Sequence, residues 1–159
     1  MSNTQAPCPE NAYLSVHAEL LMTSYRHWTG KDLIQCAPDE NSSQALFQAA
    51  YGIVSHNTED DPIFNYANQA ALDAFVMSWA EFTQLASRKS AAAVKQVERD
   101  KVMASVSQYG FIDHYQGTRI TATGQQFMIA DTTIWNIVDA QGQYHGQAAV
   151  FYKTILIGI

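Results

Sequence analysis

The stretch SHNTEDDP, residues 55–62, carries the chain's densest set of groups able to do chemistry: Ser55, His56, Glu59, Asp60 and Asp61. Carboxylates beside an imidazole could hold a metal or move a proton, and a serine beside a histidine could serve as nucleophile and base. Either chemistry needs side chains that converge in space, whereas neighbours on one polar loop diverge into water. A solvated turn feeding Pro62 is the expected outcome. His17, His27, His114 and His145 lack zinc-ligand spacing, and His17 and His27 are expected as surface groups on an N-terminal helix. Glycine-rich phosphate loops and dinucleotide fingerprints are missing from the sequence. No catalytic residue, metal ligand or cofactor is assigned.

Binding chemistry is better represented. In PIFNYANQAALDAF, residues 62–75, a short apolar alternation meets Asn65, Tyr66 and Asn68 before an alanine-rich run. Asn68 reads as a helix N-cap, its carboxamide accepting from a free amide of the first turn. Asn65 lies inside an apolar strand, where its amide needs a backbone partner across the sheet or a bound ligand. Trp79, Tyr115, Phe127 and Trp135 could line an apolar pocket or serve as plain core. Asp113, Tyr115 and Arg119 share strand parity. Exposed, an Asp113–Arg119 pair would contribute about 0–1 kcal/mol; buried, Arg119 would need a carboxylate, which a ligand could supply. Gln147 on the last strand completes the candidate ligand-binding set of Asn65, Trp79, Tyr115, Arg119, Phe127, Trp135 and Gln147.

The elements that must position these residues can be read from periodicity. Leu14, Ala18, Leu21, Tyr25 and Trp28 form an apolar stripe on a helix from about residue 11 to 28, with Gly30 as its stop. The same spacing fits a short coiled-coil seam. Leu14, Leu21, Tyr25 and Trp28 are therefore dimerisation candidates and a homodimer is expected, with packing on the domain's own sheet as the alternative. A linker over 31–43 leads to a short helix at 44–49 and strands at 51–54 and 63–66. A helix capped by Asn68 runs to Phe75, a second capped by Ser78 covers 79–85, and a longer one spans about 95–109.

Three strands follow, at 111–121, 125–138 and 143–157. Gly124 and Gly142 stand in the connecting turns, where hairpins favour positive φ. On the long strand Phe127, Ile129 and Trp135 alternate with Met128, Ala130, Ile134 and Val138, so both faces are apolar. A sheet with one wet face would alternate more cleanly. This one is expected to be covered twice, by the central helices on one side and by the N-terminal helix or a partner on the other.

Composition narrows the partners. Hydrophobic residues at 47% and charged residues at 15% of 159 describe one globular domain rather than a disordered chain. A net charge of −6, with nine scattered basic residues, argues against nucleic acid. No apolar run approaches the roughly 20 residues needed to span a bilayer, and no signal peptide is recognisable. A cytoplasmic location without a membrane partner is expected. Cys8 and Cys36 are expected as reduced thiols.

Two short strands, short helices, one longer helix and a three-stranded meander make up the element order of a PAS domain. The stretches SHNTEDDPIFNYANQAAL, WAEFTQLASR, GFIDHYQGTRI, TIWNIVDAQG and GQAAVF, between Ser55 and Phe151, resemble the PAS-related MEKHLA-domain family. The resemblance implies an α+β fold: a PAS-like antiparallel sheet of about five strands, short helices on one face and an additional N-terminal helix. Residues 1–10 would be a flexible leader, 11–43 the N-terminal helix and linker, and 44–159 the PAS-like domain.

Plant relatives carry the domain behind a homeodomain and leucine zipper. The hexapeptide that names the family is absent here, so transcriptional activity does not carry over. A flavin–thiol photoreceptor would need a cysteine in the helical region, and haem an axial histidine on the long helix; neither is present. Three roles are weighed. The first is a sensory or regulatory domain binding a small molecule, and the second a non-enzymatic interaction or dimerisation module. The weakest is an enzyme on a cone-shaped α+β fold of the nuclear-transport-factor type, with Asp131 and His114 projecting inward as an acid–base pair.

Overall fold

The structure, a computed structural model, describes residues 5–92 and 95–157. Residues 1–4 of the expected leader lie outside them; beyond, Pro7 is buried and Ala6 packs against the core. The helices are α1 (Ser15–Thr29), α2 (Ser42–Gln48), α3 (Gln69–Phe75), α4 (Trp79–Phe82) and α5 (Gln96–Tyr109). The strands are β1 (Gly52–His56), β2 (Phe64–Ala67), β3 (Phe111–Ile120), β4 (Gln126–Val138) and β5 (Tyr144–Leu156). They form one antiparallel sheet in the order β2-β1-β5-β4-β3. This is the five-stranded PAS-like arrangement with an extra N-terminal helix. The stripe suggests an earlier start for α1, but Ala12, Tyr13 and Leu14 take left-handed backbone (φ 56°, 52° and 50°), which a right-handed helix cannot contain.

Local chemistry explains the helix starts. Asn68 Oδ1 accepts from the Ala71 amide at 3.1 Å as the cap of α3. Ser78 and Glu81 form a reciprocal capping box at α4, at 3.1 and 3.0 Å. Gly110, at φ 105°, closes α5 and lets the chain turn directly into β3, with the Trp28 ring lying where a side chain would otherwise project.

Both faces of the sheet are covered. On one, Tyr25 of α1 meets Trp135 of β4 edge-on at 5.0 Å, and the Trp135 indole donates to Ser24 Oγ at 2.9 Å. Ile53, Ile137 and Val150 share the strongly buried core. On the other face, Phe75 of α3 packs edge-on against Phe127 at 5.1 Å and stands 6.5 Å from Phe151.

The alternation along β4 does not run unbroken. Asp131 has φ 54°, and His114 of β3, whose ring contacts the Asp131 carboxylate, has φ 56°; the β3–β4 register shifts around Tyr115. The left-handed residue changes which face the following side chains present. Phe127 and Ile129 therefore lie on the α3 side while Trp135 faces α1, although period-two counting puts all three together. The same irregularity separates Asp113 from Arg119. Asp113 accepts from Thr133 Oγ1, and Arg119 has no ion pair among the described residues.

Tyr66 is fully buried, and its hydroxyl has no hydrogen-bond partner among the described residues. Burial alone raises its pKa. A buried, unsatisfied hydroxyl carries a desolvation penalty of about 1–3 kcal/mol. Tyr66→Phe is accordingly expected to leave stability unchanged or raise it by about 1 kcal/mol, read as a shift in the urea midpoint. A loss above that size would mean the hydroxyl has a partner in solution.

Candidate functional site

The strand registers place His56 of β1, Asn136 of β4 and Gln147 of β5 side by side, and next to them Val54, Ile134 and Ala149. All of this row but Asn136 lines a cavity of about 40 Å³. Phe64, Phe75, Ile129, Phe151 and Met103 give it an apolar body, and Ser87, Ser90, Arg99 and Arg119 close it on the side of α5 and β3.

The polar groups in this wall are buried. Gln147 is 3% exposed and donates through Nε2 to Met103 O (3.0 Å), Ser107 Oγ (2.9 Å) and Asn136 Oδ1 (3.1 Å). Asn136 in turn donates to Val106 O at 2.9 Å, tying β4 to α5, while its carbonyl accepts from the Trp28 indole of α1 at 2.9 Å. His56, read from the sequence as part of a solvated turn, is instead the buried last residue of β1; Glu59, Asp60 and Asp61 are the exposed part. Burial holds the His56 pKa below the ordinary imidazole value, partly opposed by the Asn57 carbonyl at 3.0 Å.

Arg99 is presented inward by α5 and is 7% exposed. It donates to Ser87 Oγ and to Asp100 Oδ1 (3.3 Å), and its Nε is buried without a partner among the described residues. Burial, then the nearby positive charge of Arg119, pushes its pKa down to about 10, which leaves it charged at neutral pH. Arg119, 6% exposed, donates to Thr118 O (2.9 Å) and Tyr115 Oη (3.4 Å), its guanidinium carbon 5.6 Å from the Tyr115 ring centroid. Both arginines also border an outer cleft of about 290 Å³, with Lys95, Glu98, Val102 and Tyr115 in its lining.

Of the residues singled out from sequence, Arg119 and Gln147 line the cavity. Tyr115 stands in the outer cleft, and Phe127 packs beside the cavity against Phe75. Trp79 lies against Tyr66, ring centroids 6.0 Å apart, away from the cavity. Trp135 faces α1. Asn65 finds neither a cross-sheet backbone group nor the cavity: its Oδ1 accepts from Ser55 Oγ at 2.5 Å. Arg99 and His56 were missed as binding residues. Arg99 nevertheless sits three, four and seven residues before Val102, Met103 and Val106, so it stands on the apolar face of α5. A charge on that stripe was the legible signal.

Two further corrections concern α1. His17 is not a free surface group: its Nε2 lies 2.9 Å from Ser55 Oγ and its ring 5.6 Å from Tyr66. Leu21 and Tyr25 belong to the protein's own core, Leu14 and Trp28 pack against it, and no coiled-coil seam is left free on that stripe. His114 and Asp131 do approach, at 3.3 Å, but with 84% and 52% of their side chains exposed. They cannot form a buried acid–base pair, and the strand order sets the cone-shaped alternative aside. Among the described residues no three of His, Cys, Asp and Glu converge, and no helix is long and apolar enough to cross a membrane.

The fold is shared with solved structures of low sequence identity. A PAS domain from Colwellia psychrerythraea superposes with a TM-score of 0.60 at 12% identity, over 72% of this chain and 92% of that one. A light-oxygen-voltage domain studied with a flavin analogue gives 0.59 at 16%, over 76% and 87%. A PAS domain of a two-component sensor histidine kinase gives 0.56 at 14%, over 70% and 90%. No curated protein matches the sequence. The MEKHLA domain model matches residues 15–155, α1 included, and the chain belongs to the MEKHLA domain family.

Proposed function

We propose that this chain is a sensory or regulatory domain whose input is a small molecule held in the cavity between the sheet and α3 and α5. The observation that carries the reading is the convergence of four strongly buried polar side chains, His56, Arg99, Arg119 and Gln147, on one otherwise apolar cavity. Buried polar groups gathered in an apolar concavity are the usual make-up of a ligand site. The PAS-like fold and its sensor-kinase neighbour support a regulatory role.

The output element in this reading is α1. Two chains of contacts lead from the cavity through the sheet to it: Gln147 to Asn136 to Trp28, and Ser55, on the cavity-lining strand β1, to His17. A ligand that moved Gln147 would act on the Trp28 contact, and one that moved β1 on the His17 contact, two of the contacts that dock α1. Signalling by a change in how firmly α1 docks needs no enzymatic step.

The test is mass spectrometry under non-denaturing conditions on protein purified from its own host, compared with the same protein after unfolding and refolding. A small-molecule adduct lost on unfolding, and restored by adding the identified compound, is the expected result. No adduct, together with a metabolite thermal-shift screen in which nothing raises the unfolding midpoint, would overturn the reading.

A further inference from the structure

Two buried guanidinium groups with no buried carboxylate between them are an unusual thing to find in a cavity wall. Removing a positive charge from water is costly unless a counter-charge and hydrogen bonds replace the hydration. Here the replacement is incomplete. Among the described residues Arg99 has one carboxylate, Asp100, which is 58% exposed, and its Nε is unpartnered. Arg119 has a carbonyl, a phenol and a ring face, and no carboxylate. Glu98 borders the outer cleft but forms no ion pair with either arginine. The two like charges also repel each other. The arginines are common to the linings of the inner cavity and the outer cleft, so they stand where the two meet.

We propose that the cavity takes a small organic monocarboxylate, bound between Arg99 and Arg119 with its carbon chain among Phe64, Ile129 and Phe151. The proposal rests on the reading that the cavity is a ligand site, and adds the ligand's class. A carboxylate matches the planar fork of guanidinium donors and would supply both the missing counter-charge and an acceptor for the orphaned Arg99 Nε. Size and polarity fix the rest. An inner volume of about 40 Å³ holds a short chain, and its aromatic and aliphatic body disfavours a second charge at that end. Lys95 in the outer cleft adds a third positive charge along the approach.

The experiment is isothermal titration calorimetry and thermal unfolding of the full chain with acetate, propionate and butyrate. The corresponding amides and inorganic phosphate serve as comparators, with sodium chloride holding ionic strength constant. At least one carboxylate is expected to bind and raise the unfolding midpoint, with its amide at least ten-fold weaker. Arg119→Met and Arg99→Met should each weaken that carboxylate ten-fold or more. The unliganded Arg119→Met protein should unfold at the same or a higher temperature, because a hydrophobe of similar length replaces an uncompensated buried charge.

The acid–amide comparison on the unmodified protein stands even where a variant fails to fold. Amides binding as tightly as acids, or undiminished carboxylate binding to Arg119→Met, would overturn the anion class while leaving the cavity as a ligand site. Phosphate binding with every carboxylate silent would overturn an organic ligand. Silence from all the series would overturn this inference and count against the cavity reading as well.

Discussion

Asn68→Ala is expected to destabilise the protein by about 4 kcal/mol or more, a loss in the exceptional tail of single substitutions. The carboxamide is fully buried and uses all of its hydrogen-bonding capacity. Its Oδ1 accepts from the amides of Ile53 (2.9 Å) and Ala71 (3.1 Å), and its Nδ2 donates to the carbonyls of Leu46 (3.2 Å) and Tyr51 (2.8 Å). One side chain thereby ties the end of α2, the approach to β1, β1 itself and the first turn of α3. Alanine would remove the cap, which costs about 1 kcal/mol. It would also strand backbone groups at the other contacts, each costing on the order of 1–3 kcal/mol where water cannot reach.

Asn68→Asp separates these parts. It keeps both acceptor contacts and loses both donors, setting a carboxylate against two carbonyls, so it should also be strongly destabilising, and less so at acid pH where the carboxyl can donate. Equilibrium urea unfolding measures all three proteins. A loss near 1 kcal/mol for Asn68→Ala would reduce the residue to an ordinary cap.

That residue also illustrates how far the sequence reaches. The capping role was legible, because an asparagine before an alanine-rich run has a local meaning. The other three bonds were not, since their partners at 46, 51 and 53 arrive only when separate elements meet. The meander, its glycine turns and its two-sided coverage could be read from alternation. Alternation failed at Asp131, because it assumes extended backbone at every residue and one left-handed residue resets the faces beyond it. That moved Trp135 out of the candidate site. The α1 stripe could not decide between a seam and a sheet, because both partners ask for the same spacing. Arg99 and His56 escaped notice because charged and imidazole groups are by default solvated. Only the cavity shows that they are not.

His17 gives the second large effect, and it appears as a pH dependence. Its imidazole packs between α1 and β1, where burial, and secondarily the charge of His145, lowers its pKa from 6.5 to about 4. A proton on the ring would be stranded there. Near neutral pH the ring is uncharged in both folded and unfolded protein, and the docking of α1 is undisturbed. As pH falls below 6.5 the unfolded chain takes up a proton that the folded chain refuses, so stability declines and keeps declining until the folded ring titrates near 4. Integrated from neutral pH to 4.5, this amounts to about 2.5 kcal/mol from His17.

His56, also lowered by burial, contributes in the same direction. The lowered carboxylates Glu10, Glu81 and Asp139 act further down, because their ordinary values lie at 4.5 and below. The region between pH 6.5 and about 5.5 therefore belongs to the two histidines, and the carboxylates join them as the pH approaches 4.5. His17→Gln keeps an amide that can reach Ser55 and removes the titration. Urea midpoints at pH 7, 5.5 and 4.5 should fall less steeply for this variant than for the parent, by up to about one proton's worth of slope, roughly 1.4 kcal/mol per pH unit. Equal slopes would mean that His17 is solvated when folded, and α1 would then lose one of its two proposed links to the cavity.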